Sequence, residues 1–225
     1  MKIFLDSANI DEINNIARYG ILDGITTNPS ILSKEVDDNN DTAGIINNII
    51  KHVNGEVHIQ VTSDEYDTIL KQAMKIHSLG LNVIVKIPVT QNGMAAMASL
   101  RSRGIKINAT TIFTPLQALA AAKNNAEYST VYLSSIDDSG NSSYKVIQTI
   151  RTMFNNYNMK TKIMGAAIKN PVQIIECGMA GVDAVTAPYG VLKQMLDHPE
   201  TVMNVNRFIN DWNLIPQNSK TFFNQ

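Results

Sequence analysis

One cysteine, no surplus of either charge and no long apolar run narrow this sequence before any motif is read. Cys177 is the only thiol in 225 residues, so no internal disulfide can staple the fold, and its setting in IIECGMAG suits a small buried hydrophobe in a reducing cytoplasm. With 19 basic against 20 acidic side chains the net charge is −1, and no block of like charge is present to draw nucleic acid or a membrane surface. No apolar stretch approaches the roughly 18 residues that a membrane span needs, and the opening MKIFLD turns polar too early for a secretory signal. Glycine-rich phosphate loops, paired-cysteine motifs and the zinc motif H-E-x-x-H are missing, and the four histidines (His52, His58, His77, His198) are scattered. Neither a metal nor a nucleotide cofactor is expected; the expected ligand is a small molecule, met in the cytoplasm.

What is present is a globular composition, with 44% hydrophobic and 17% charged residues. The length suits one large α/β domain, since all-parallel barrels run to about 200–250 residues. Eight short β-rich runs alternate with helical patterns: Lys2 to Leu5, Gly24 to Thr26, Val57 to Val61, Val83 to Ile87, Lys106 to Thr111, Thr130 to Leu133, Lys162 to Ala166 and Val182 to Thr186. Several are continuously apolar, VIVKI most clearly, as strands buried on both faces must be. Helix starts lie between them: Asn9 with Glu12 as a capping box, Asp64 ahead of EYDTILKQAMKIHSL, and Thr114 with Pro115 ahead of LQALAAAKN. Eight such units with right-handed crossovers predict a (β/α)8 TIM barrel over residues 1–225. Val36 to Asp41 reads as a polar loop. A ninth pattern, Pro199 to Trp212, exceeds what a barrel needs and leads to a tail with Phe222 and Phe223. It either caps the barrel or packs on a neighbouring subunit.

Parallel barrels build their sites from the C-terminal ends of the strands. There the sequence places Asp6, Asn28, Gln60, Lys86, Thr110, Tyr132 and Thr186, with Ser135 and Ala167 nearby. Lys86 stands out because it interrupts VIVKIPV, where an unpaired charge is costly. Two readings fit: an ion pair with a carboxylate such as Asp6, or an amine whose pKa is depressed by burial so that it attacks a carbonyl.

The segments FLDSANIDEI, GITTNPSIL, VIVKIPVT, NATTIF, AEYSTVYLSSIDD and the late DW resemble the small-subunit transaldolase and fructose-6-phosphate aldolase family, in order and over essentially the whole chain. The resemblance implies a class I aldolase in which Lys86 forms a Schiff base with a ketose. It implies that Asp6 binds substrate hydroxyls and moves protons, that Asn28 and Thr26 lie on the substrate side, and that Thr110 helps hold a water. Gln60 and Tyr132 match the aldolase subgroup, transaldolases carrying Glu and Phe there. It also implies a homo-oligomer, pentameric or decameric, joined through the C-terminal helix. Two positions depart from the pattern: Ser135 stands where the family has a phosphate-gripping arginine, and Ala167 where it has a serine. Lys169 or a helix N-terminus after the seventh strand could replace them. The expectation is an aldolase, with transaldolase and a non-catalytic sugar-binding barrel as alternatives.

Overall fold

The computed structural model describes residues 1–220 and Phe222, so Phe223 lies outside the described residues. Eight parallel strands close in chain order into one barrel: β1 (Lys2–Asp6), β2 (Gly24–Thr26), β3 (Glu56–Gln60), β4 (Val83–Pro88), β5 (Ile107–Ile112), β6 (Tyr128–Tyr132), β7 (Lys162–Ala166) and β8 (Ala184–Ala187), with β8 pairing back onto β1. This is the predicted (β/α)8 barrel. β3 and β5 each move by one residue from the sequence expectation, and two strands start two residues away from it. β6 begins at Tyr128, which pairs with both Asn108 and Lys162, and ends before Leu133, which opens a short helix. β8 begins at Ala184 because Val182 still belongs to the preceding turn, its amide donating to Cys177 O at 3.0 Å.

The two-residue period of the strands separates two cores. Phe4, Ile84, Tyr128, Met164 and Ala184 fill the barrel interior. Their alternates, such as Leu5, Val85, Ile87 and Val185, face the surrounding helices in one large cluster with Ile13, Ile49, Ile69, Leu100, Ile150 and Phe154. Close strand approach explains Gly24: a Cβ there would sit 2.1 Å from Glu56 O and 2.8 Å from the Phe4 ring. Below the site the interior is polar but satisfied. Glu56 accepts from Lys2 Nζ at 2.8 Å and Tyr128 OH at 2.6 Å, and His58 Nδ1 faces the Asn108 amide at 2.9 Å. Burial pushes His58 down to about 4, so at neutral pH it is an uncharged ring.

Helices cover the barrel between strands, including Ile10–Ala17, Tyr66–His77, Gln91–Arg101, Pro115–Lys123, Ser143–Asn156 and Pro171–Met179. The Thr114–Gln117 capping box forms. The one expected at Asn9 forms only in half: Asn9 caps Asp11 N and Glu12 N, while the Glu12 carboxylate takes the Ser7 hydroxyl at 2.5 Å instead. Asp64 does not cap either; Glu65 holds that position without a side-chain capping bond, its carboxylate accepting from Thr68 instead, and Asp64 accepts from Thr90. Residues 36–41 are a loop closed by an Asp37–Asn40 bridge.

The chain divides into two compact units, Met1–Leu192 and Lys193–Gln225, so the second begins ahead of the predicted Pro199. The second unit contains the helix Pro199–Leu214, with proline in its first turn and His198 as its cap.

Candidate active site

Asp6, Asn28, Lys86, Tyr132, Ala166, Ala167 and Thr186 line a cavity of about 120 Å³ at the C-terminal ends of the strands. Lys86 is buried among them, only 3% exposed. Its ammonium has no carboxylate within ion-pair distance among the described residues, and its hydrogen bond runs from Nζ to the Thr27 carbonyl at 2.7 Å. Of the two readings of this lysine, the Asp6 ion pair does not form. Burial holds the Lys86 pKa below its ordinary value, the charge on Asp6 opposing the shift. An amine in a small cavity, with a depressed pKa and no ionic partner, is poised as a nucleophile.

The surrounding groups are placed by short-range structure. Thr26 Oγ1 donates to Asp6 Oδ1 at 2.5 Å and meets Thr186 Oγ1 at 2.6 Å, so two buried hydroxyls fix the carboxylate. Thr26 is thus a support beneath the cavity rather than part of its lining. Asn28 is N-cap of the short helix Pro29–Leu32, its Oδ1 accepting from Ile31 N at 3.0 Å. Capping uses the oxygen and leaves the amide NH2 for a ligand.

Thr110 Oγ1 donates to Tyr132 OH at 3.4 Å, and burial raises the Tyr132 pKa, Thr110 lowering it and Asp6 raising it. The phenol therefore stays protonated. Just past Thr110 the β5–β6 register slips, and Thr111 adopts φ +58°, a left-handed value that a β-branched residue rarely takes. Such strain costs roughly 1–3 kcal/mol and clusters at functional sites. Ala167 also has φ +52° at the rim.

Gln60 is paired with Lys86 across β3 and β4, which places the two on one face. Its Oε1 is buried with no hydrogen-bond partner, an orphan acceptor that a ligand can satisfy. Gln60 also borders a larger depression of about 470 Å³, walled largely by aliphatic residues such as Leu32, Val36, Ile46 and Ile76. That depression gathers no set of titratable groups, so volume does not locate the chemistry here.

Five predicted residues do not line the cavity: Thr26, Gln60 and Thr110 are bonded to or paired with residues that do (Asp6, Lys86 and Tyr132), and Ser135 and Lys169 lie elsewhere. Ser135 is exposed on the helix Leu133–Asp138, and Lys169 is exposed and paired with Asp138 at 2.7 Å. Sequence reasoning missed the Thr27 carbonyl, for which no side chain gives a signal, and Ala166.

A sequence model described as Transaldolase/Fructose-6-phosphate aldolase matches residues 3–223. The chain belongs to the transaldolase/fructose-6-phosphate aldolase family. It is accordingly an enzyme of the Schiff-base aldolase and transaldolase class. A protein named probable transaldolase from Thermoplasma acidophilum is 43% identical over 98% of this chain and 99% of its own length. Proteins of the same name from Thermoplasma volcanium and Petrotoga mobilis are each 42% identical, over 98% and 94% of this chain and 99% and 95% of their own lengths.

Proposed function

We propose that this family member is a fructose-6-phosphate-aldolase-like enzyme in which Lys86 forms a Schiff base with the C2 carbonyl of a ketose. The observation that carries the proposal is the buried Lys86 amine, which has no carboxylate partner and lies in a cavity with Asp6, Asn28 and Tyr132. The amine attacks C2, and loss of water gives the iminium. Asp6 then takes the proton of the C4 hydroxyl as the C3–C4 bond breaks, which releases an aldehyde and leaves an enamine on Lys86. Asn28 orients the adduct, and a water held among Gln60, Thr110 and Tyr132 carries protons. Protonation at carbon followed by hydrolysis frees Lys86 and a three-carbon ketone. Tyr132, kept protonated by burial, is a suitable acid for that step, and this favours aldolase. Capture of the enamine by a second aldehyde is transaldolase chemistry, and the names of the relatives favour it.

Borohydride reduction in the presence of hydroxyacetone is expected to add the mass of the reduced adduct to the peptide that carries Lys86. Label on another lysine, with Lys86 untouched, would sink the assignment.

The same reading makes the enzyme a homo-oligomer joined through the helix Pro199–Leu214, on which Val202, Val205, Phe208 and Ile209 are exposed. Sedimentation of the full chain should give a species several times the 24.8 kDa protomer. A monomer, or an assembly unchanged when the chain stops before Pro199, would refute the role of this helix.

A further inference from the structure

The buried amine has one hydrogen-bond partner among the described residues, the main-chain carbonyl of Thr27, which accepts from Lys86 Nζ at 2.7 Å. That oxygen is held from both sides. Thr27 follows β2, and its amide and its hydroxyl both donate to His58 O on β3, at 2.9 Å and 3.1 Å. The amide bond extends the β2–β3 ladder, in which Thr26 pairs with His58. The hydroxyl bond adds a second tie to the same oxygen, so Thr27 cannot pivot about its amide, and the peptide plane that carries its carbonyl is fixed. On the far side of that plane Asn28 caps the helix Pro29–Leu32 through Ile31 N at 3.0 Å, and Pro29 has a locked φ. Thr27 and His58 are fully buried, so no bulk water competes for these bonds.

A fixed acceptor has a chemical use at this position. A neutral amine carries two N–H groups and one lone pair. Engaging one N–H with Thr27 O stops the amino group from turning about Cε–Nζ and leaves the lone pair on the side away from Thr27, free to meet a carbonyl carbon. On the way to the iminium, Nζ joins C2, gives up one proton and keeps the other. The C2 oxygen leaves as water with that proton and a second drawn from solvent. The proton that remains lies on a cationic nitrogen with no carboxylate in ion-pair distance, and the same carbonyl can accept it.

We infer that Thr27 is a positioning residue for the Schiff base: its hydroxyl, tied to His58 O, holds the carbonyl that aims the Lys86 amine and then accepts the iminium N–H. The inference rests on the Schiff-base reading of Lys86 and adds the group that orients it.

The test compares full-length Thr27→Val and Thr27→Ser by the rate at which borohydride traps hydroxyacetone on Lys86 across pH. Valine keeps the β-branched shape without the hydroxyl, and serine keeps the hydroxyl without the methyl. Thr27→Val should trap about 3- to 10-fold more slowly on the pH plateau, the effect of one lost hydrogen bond. Its acid limb should move to lower pH, because a carbonyl held against Nζ favours the charged ammonium. Asp6, His58 and Tyr132, the other titratable groups around the amine, are the same in both variants. Thr27→Ser should stay within about twofold of the parent. A valine variant with parent rate and an unmoved limb overturns the inference, and so does a serine variant as slow as valine, which would make packing of the methyl the cause. Should Thr27→Val fail to fold, the structure of the unaltered enzyme reduced onto hydroxyacetone decides. Its secondary amine must lie within about 3.2 Å of Thr27 O, and a separation beyond about 4 Å overturns the inference. Label on Lys86 with insensitive variants refutes only the role of Thr27, whereas absence of label on the unaltered enzyme removes the Schiff base and this role together.

Discussion

Lys86→Met should give a folded barrel with turnover lost by roughly 10³-fold or more and with stability at neutral pH equal to or above that of the unaltered enzyme. Methionine fills nearly the same volume as lysine but cannot form an imine. The stability side follows from burial, which holds the Lys86 pKa below 10.5, its ordinary value. Between the folded and the unfolded pKa the unfolded chain binds the additional proton, so unfolding free energy rises with pH through that window and is lowest beneath it. Methionine removes this dependence. Its advantage is therefore greatest at the acid end and fades as pH approaches 10.5. Losing the bond from Nζ to Thr27 O costs about 1 kcal/mol. Removing a buried charge gains more, so a net gain of about 1–2 kcal/mol is expected. Urea midpoints at three pH values check this. Retained turnover would remove Lys86 from the chemistry, and a destabilisation that is the same at every pH would mean that the lysine is a packing residue. Lys86→Arg keeps the charge, so it should be both inactive and less stable.

The same physics decides what could be foreseen. A parallel strand buried on both faces is a continuous apolar run, so VIVKI was legible as β4 and its lysine as the anomaly. The ends of β6 and β8 were not, because pairing by Tyr128 and the turn bond of Val182 depend on neighbours far along the chain. The polar residues that end strands include Asp6, Asn28, Tyr132 and Thr186, which the structure brings together around the Lys86 cavity. Direction beyond a strand end is another matter. Ser135 and Lys169 lie close in sequence to β6 and β7, yet a helical turn exposes the first on the wall of a neighbouring cavity, and an aspartate draws the second away. The Thr27 carbonyl and the hydroxyl chain from Thr186 through Thr26 to Asp6 arise from strand register, which no local pattern encodes.

Asp6→Asn should move two observables in opposite senses. Asparagine is isosteric, and its Oδ1 can accept the same hydrogen bond that Thr26 donates to Asp6 at 2.5 Å, so the side chain stays where it is. What disappears is a base and a negative charge. Losing the base at C–C cleavage should lower kcat by about 10²- to 10⁴-fold. Losing the charge acts on Lys86, whose pKa the Asp6 carboxylate raises against the downward pull of burial. Without it the free amine persists to lower pH. The acid limb of adduct formation, read as the rate of borohydride-trapped hydroxyacetone, should therefore shift to lower pH even as turnover collapses. A residue that only braced the fold would depress both signals and leave the limb unmoved. A shift to higher pH would mean that Asp6 does not act on Lys86 through its charge, and a kcat within about threefold of the parent would exclude it as the proton acceptor.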